Sequence, residues 1–235
     1  MKTILILDLE TTGVTPGTDR IVEVGLLLYS VTHRSTIRAM SSVVDSGVGN
    51  PAESINRVPG AILGDGITPD TAYSTVRSWM GAADAVIGHN IVDFDRMFLP
   101  PDIQTLRPFI DTCNDLLWPR QQKPGEGLVK LALAHDLGVS HAHRAAVDCD
   151  LLARLLTRVH ELGVDLGPFL ERGLRPKAQF QAMVSYDDRE LAKTAGFKWN
   201  EDGSRRWLRK MPIEDAAALP FPTRQVEASP ARAAS

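Results

Sequence analysis

Near the N-terminus, Asp8 and Glu10 stand one residue apart at the end of the apolar run Ile4-Leu5-Ile6-Leu7. Such a run reads as a buried strand. Side chains at i and i+2 of a strand share a face, so the two carboxylates project together while Leu9 packs the other way. Carboxylates held that close repel each other unless a cation sits between them. Hard divalent ions take oxygen ligands of this type, which makes the pair a candidate half-site for a metal. A lone pair of acids also suits a strand end that simply meets water, so the metal reading needs more acids. Asp93 and Asp95 follow a second apolar run, Ala85-Val86-Ile87-Gly88, and His143 to Asp148 has the spacing H-x-A-x-x-D.

The elements that must position these residues can be read from periodicity. Ile21 to Tyr29 predicts a second strand and Thr36 to Val44 a third, joined by connections short enough for an antiparallel meander. Glu23 lies inside the second strand and offers a further acid near the site, but a single charge in a strand usually marks a solvated face, and that reading is preferred. Thr68-Pro69-Asp70 begins a helix running to about Met80, with an N-cap hydroxyl and Pro at the first helical position. Ala85 to Gly88 is a short buried strand delivering His89 to Asp95. Phe109-Ile110 is another, leading into a helical Cys113 to Trp118. Leu128 to Leu137 reads as a helix ended by Gly138. The longest helix, about Ala145 to Leu162, carries a broad apolar stripe through Val147, Leu151, Leu152, Leu155, Leu156 and Val159. Three strands followed by strand-helix alternation predict an α/β fold, a mixed sheet with helices on its faces.

With 235 residues, 43% hydrophobic and 23% charged, the chain suits one good-sized domain with a small appendage. No segment is long and apolar enough to span a membrane and the start lacks a cleavage signal, so a cytoplasmic protein is expected. Cys113 and Cys149 form no C-x-x-C, which argues against zinc or a disulfide framework. The net charge of -3 conceals an asymmetry: residues 172 to 210 carry +5, whereas residues 1 to 171 carry -7. An acidic N-terminal part and a basic C-terminal part imply a division of labour.

Taken in order, Asp8-Leu9-Glu10-Thr11-Thr12-Gly13, His89-Asn90 with Phe94-Asp95, and His143 to Asp148 resemble the three motifs of the DEDDh 3'-5' exonucleases. This family of the ribonuclease-H-like superfamily includes the proofreading epsilon subunit of bacterial DNA polymerase III and exonuclease X. Three motifs at the ends of the right elements are specific where one would be weak. The resemblance covers about residues 3 to 160 and implies a ribonuclease-H-like mixed five-stranded sheet. It also implies that Asp8, Glu10, Asp95 and Asp148 organise two divalent ions, Mg2+ or Mn2+, with Asp8 bridging, and that His143 takes the proton of the attacking water. Thr11, Thr12, Phe94 and Asn90 would touch or frame the terminal nucleotide. The implied substrate is DNA at single-stranded 3' ends, in proofreading, repair or end trimming, with a polymerase or repair partner. An RNA-trimming enzyme of the family and a non-catalytic nucleic-acid-binding protein on this scaffold are the alternatives.

Three residues separate Asn90 from Phe94 where many members have two, so Asp93 competes with Asp95, and a Phe-Asp pair before an apolar helix favours Asp95. His141 competes with His143 but lacks the Ala at i+2 and the Asp at i+5. Where many members carry His-Gly-Ile-Thr against substrate, this chain has Ile55-Asn56-Arg57-Val58 and Gly66-Ile67-Thr68, with no such His. His33, His135 and His160 are expected at the solvent.

The expected organisation is an exonuclease domain over 1-165, a Gly- and Pro-rich linker over 166-178, a small α+β module over 179-212, and a disordered tail over 213-235. Within the module, Phe180 to Tyr186 alternates as a strand. Asp188 caps a helix ended by Gly196, and two strands form a hairpin about Asp202-Gly203. Trp199 and Trp207 would face each other across that hairpin. They suit base stacking beside basic residues, or else a small hydrophobic core.

Overall fold

The computed structural model describes residues 1–140, 143–200 and 205–227. These fall into two compact units. One comprises Met1–Arg120 and Gly127–Leu174; the other comprises Gln121–Glu126 and the described residues from Arg175 onward. His141, the Asp202-Gly203 turn and the end of the expected tail lie outside the described residues.

The first unit is built on a five-stranded sheet. β1 (Thr3–Thr11), β2 (Ile21–Ser30) and β3 (Ser35–Val43) form the antiparallel meander, and β4 (Ala85–Gly88) and β5 (Phe109–Asp111) add parallel strands on the other side of β1. The order is β3-β2-β1-β4-β5, the expected mixed sheet. All ten residues of β2 are buried, because the sheet is covered on both faces, whereas β3 is an exposed edge. A short helix α1 (Glu53–Asn56) precedes α2 (Pro69–Met80), which starts as expected: the Thr68 side chain accepts a hydrogen bond from the Thr71 N–H. α3 (Asp95–Phe98) is a single turn, α4 spans Leu128–Ala134 and α5 spans Ala145–Glu161.

Strand alternation divides the core in two. Ile4, Ile6, Leu27, Tyr29, Ile87 and Ile110 pack against Leu152, Leu155, Leu156 and Val159 of α5. Leu5, Leu7, Leu9, Val24, Leu26 and Val86 pack against Ala72, Val76 and Met80 of α2. The same alternation sends Asp8 and Glu10 to the α5 face. Gly25, opposite Asp8 in the ladder, lets α5 come close: a Cβ there would lie 2.5 Å from the backbone carbonyl of Ala145.

Several expectations change. Cys113 to Asp115 is a turn and Leu116 to Trp118 is irregular, in place of a helix. α4 ends at Ala134, before Gly138, because Asp136 takes a left-handed φ of 63°. His135 is fully buried. Its Nδ1 donates to the Leu131 carbonyl and its Nε2 accepts from the Arg120 N–H, so it is a satisfied core histidine. Part of the expected linker is α6 (Leu166–Glu171) and a 3-10 turn at Arg172–Leu174, because Leu166, Phe169 and Leu170 complete the α5-side core.

In the second unit, β6 (Lys177–Ala182) begins earlier than the alternation suggested and α7 spans Arg189–Thr194. Asp188 occupies the N-cap position of α7 but makes no side-chain cap; its carboxylate accepts instead from the Ser185 hydroxyl. β7 (Lys198–Asn200) and β8 (Arg206–Pro212) form the hairpin, with Trp199 opposite Trp207 and their rings edge to face at 5.3 Å. α8 (Ile213–Ala217) and β9 (Thr223–Val226) lie where a tail was expected; β9 pairs with β6 and closes a sheet of order β7-β8-β6-β9. Phe180, Met211, Phe197, Ala192 and Phe221 make its core, and Trp207 packs against them.

Candidate active site

β1 delivers Asp8 and Glu10 at its C-terminal end, where a register shift between Glu10 and Thr11 breaks the ladder with β2. A bulge of this kind bends a strand and re-aims its side chains. Asp148 comes from the first turn of α5, which crosses the same face. Ligand oxygens of Asp8, Glu10 and Asp148 all lie within 4.8 Å of one another. Asp95 opens α3 and is buried; its Oδ1 accepts a 2.7 Å bond from the Leu9 N–H, which ties it to β1 between the other two acids.

All four carboxylates line one cleft of about 620 Å3, together with His143, His89 and Phe94. Gly127, Leu128, Val129, Lys130 and Leu133 of α4 and its approach form another wall. Asp93 is exposed and is not part of the lining, whereas Asp95 is buried and lines the cleft. His143 is exposed, with a left-handed φ of 66°, and its N–H donates to Asp148 Oδ2 at 3.2 Å.

All four acids hold their protons above the ordinary carboxylate range. Burial drives Asp8 up strongly, and the charges of Asp95, Asp148, Glu10 and Glu23 add to it. Glu10 is pushed from 4.5 to about 8 by burial and by Asp148, Glu23 and Asp95, with Arg144 opposing. Burial raises Asp95 from 3.8 to about 7 against the stabilising N–H of Leu9, and burial likewise raises Asp148 against the N–H of His143. A cluster of oxygens whose charges oppose one another in this way is the donor chemistry that hard divalent cations neutralise, and the acidic cluster can hold such a metal.

Other expected site residues have structural work. Thr11 and Thr12 are buried; the Thr11 hydroxyl donates to the Gly13 carbonyl and that of Thr12 to Asp19, and neither lines the cleft. Asn90, at a φ of 68°, receives the Phe94 N–H on its carbonyl and donates its own N–H to Asp111, shaping the loop that leads to Asp95. The Asn56 side chain donates to the Thr11 carbonyl from a buried position. Trp199 and Trp207 belong to the second unit and share the face of its sheet that carries the core, with Trp199 44% exposed.

Two features carried little or no weight in the sequence. Glu23, expected at a solvated face, is only 2% exposed. It lies directly across the ladder from Glu10 and accepts two 2.9 Å bonds from Arg144, one from the Ala145 N–H and one from the Ser41 hydroxyl. The other is the α4 wall, whose only signal was an apolar helix with Leu133 left 59% exposed.

A family model described as Exonuclease matches residues 5–156, and a second, described as a domain of unknown function, matches residues 178–226. No curated protein matches the chain. Among solved structures, exonuclease X in complex with 5' overhanging duplex DNA is similar at a TM-score of 0.54 and 24% identity, over 72% of this chain and 99% of that one. The E. coli ExoI-ssDNA complex is similar at a TM-score of 0.59 and 17% identity, over 86% of this chain and 53% of that one, so the chain spans about half its length. The nuclease domain of 3'hExo, a DEDDh family member bound to rAMP, gives a TM-score of 0.51 at 14% identity, over 70% of this chain and 94% of that one. At these identities the likeness is one of fold. Among the described residues no helix is long and apolar enough to cross a membrane.

Proposed function

The chain belongs to the exonuclease family, of DEDDh type, and is thereby a phosphodiester hydrolase; from that premise we propose that it removes nucleotides from the 3' end of DNA with divalent metal ions as cofactor. The observation that carries this reading is the convergence of Asp8, Glu10, Asp95, Asp148 and His143 in a single cleft.

On this reading Asp8, Glu10, Asp95 and Asp148 would hold two divalent ions, Mg2+ or Mn2+. Bound there, such a pair supplies Lewis-acid stabilisation of the attacking and leaving oxygens of a displacement at phosphorus. The chain itself supplies the rest. His143, at the exposed edge of the cleft, accepts the proton of the attacking water on its imidazole. The hydrogen bond from its backbone to Asp148 fixes its distance from the acids. Phe94, Leu128, Val129 and Leu133 offer an apolar wall against which the terminal nucleotide can lie.

DNA is preferred as the substrate because exonuclease X and ExoI are each seen with DNA, duplex or single-stranded. The role that fits is trimming of 3' ends in proofreading or repair, in the cytoplasm, beside a polymerase or repair partner. The test is digestion of 5'-labelled single-stranded DNA, duplex DNA and RNA of one sequence with Mg2+, Mn2+ or EDTA. Progressive shortening of DNA with either metal supports the reading. Shortening of RNA alone would replace it with an RNA-trimming enzyme, and binding without hydrolysis would replace it with a non-catalytic binding protein.

A further inference from the structure

The second unit is strongly polarised. In an antiparallel sheet, directly opposed residues point to the same side. Phe180, Ala182, Met211 and Trp207 face the core with α7 and α8. The other side therefore presents Lys177 and Gln179 with Gln181 from β6, Lys198 and Asn200 from β7, Arg206, Leu208 and Lys210 from β8, and Arg224 and Val226 from β9. Five cations share this face, and no residue of the four strands is acidic. All ten of these side chains are exposed or half-buried. Glu190, Glu214 and Asp215 lie instead on its helices, where Glu190 pairs with Lys193 and Asp215 with Arg175, and Glu227 follows the end of β9.

We propose that this outer face docks the phosphate backbone of a nucleic-acid strand without regard to sequence. Three gaps between neighbouring strands at about 4.8 Å give a patch roughly 14 Å wide, broad enough for several phosphates. Lys and Arg supply the charge, while Gln179, Gln181 and Asn200 supply uncharged donors for phosphate or sugar. The face carries no aromatic side chain, since both tryptophans of the hairpin lie on the other side. Binding is therefore electrostatic and gains nothing from stacked bases. A membrane is the poorer match, because only Leu208 and Val226 could enter lipid. The choice of nucleic acid among polyanions rests on the exonuclease reading, and the surface would hold the strand whose end is being shortened.

The test uses the full chain with Lys198→Gln, Lys210→Gln and Arg224→Gln combined, three exposed positions outside the cleft. Affinity for a fluorescent mixed-sequence DNA strand is measured by anisotropy in EDTA across a salt series. The variant should bind at least about 10-fold more weakly at low salt, and the slope of log affinity against log salt should fall by about 2. A charge-preserving set, Lys198→Arg, Lys210→Arg and Arg224→Lys, should bind as the natural chain does. Unchanged affinity and slope in the glutamine variant would overturn the proposal, as would loss of binding in both variants. So would retained DNA binding with lost binding to anionic phospholipid vesicles. Hydrolysis of a dinucleotide with Mg2+ should match in the natural chain and the glutamine variant. Its absence from the natural chain would count against the exonuclease reading alone, since binding is measured in EDTA.

Discussion

Glu23 and Arg144 lie 121 positions apart in the chain and form a two-pronged ion pair, with both bonds at 2.9 Å, immediately behind the cleft. Arg144 is the residue next to His143, and the Ala145 N–H that opens α5 donates to the same carboxylate. The pair therefore anchors the loop bearing His143 and the helix bearing Asp148 to β2.

Removing one partner of a buried pair leaves the other without compensation. Glu23→Ala should cost about 2–3 kcal/mol of stability, since Arg144 is partly exposed and can regain water. It should also lower kcat more than it raises KM, because His143 and Asp148 lose their shared anchor. Urea unfolding and steady-state kinetics check this, and a variant of natural stability and rate would refute the anchoring role.

The cleft includes Asp95 and leaves Asp93 exposed outside it. Asp95→Asn should reduce exonuclease activity by at least about 100-fold, whereas Asp93→Asn should stay within about 3-fold of the natural rate. Single-turnover assays on the two variants separate the roles.

His143→Ala should lower kcat by about 100-fold to 10,000-fold, the range usual for loss of a general base. Calorimetric Mn2+ binding should change little, because the carboxylates remain. The drop should shrink toward high pH, where hydroxide replaces the missing base.

The pH dependence of stability follows from the raised carboxylates. A group whose folded pKa exceeds its unfolded value stabilises the fold while protonated and loses that contribution as pH rises through the folded value. Glu10, moved from 4.5 to about 8, and Asp95, moved from 3.8 to about 7, act in this sense. The melting temperature in EDTA should therefore fall as pH rises from about 5 to 8.5. Mg2+ should raise it more at the upper end than the lower, because ionised acids bind the ion and binding to the folded state alone stabilises it. A flat profile in EDTA would show that burial and mutual repulsion do not raise these acids in the folded chain.

What could be read from the sequence was what short spacing encodes. Asp8-Leu9-Glu10 at a strand end and His143 to Asp148 at a helix start each place two groups within a few residues of one another, and strand or helix geometry does the rest. Glu23 was misread because its partner is distant in sequence; within its own strand it looked like one charge meeting water. His135 was misread for a different reason: its partners, the carbonyl of Leu131 and the N–H of Arg120, are near in sequence, but the packing that buries the ring between helix and loop is not written in its spacing. Gly and Pro concealed α6, whose Leu166, Phe169 and Leu170 are held by the core more than by propensity. β9 has only four residues and exists because β6 offers it an edge.

The central claim is that the cluster around Asp8 holds the metal on which hydrolysis from the 3' end depends. Its most direct test is a time course of 5'-labelled single-stranded DNA with the natural chain and Asp8→Ala, each in Mg2+ and in EDTA. The account predicts a ladder shortening from the 3' end only for the natural chain in Mg2+. Shortening by Asp8→Ala in Mg2+, or by the natural chain in EDTA, would contradict it.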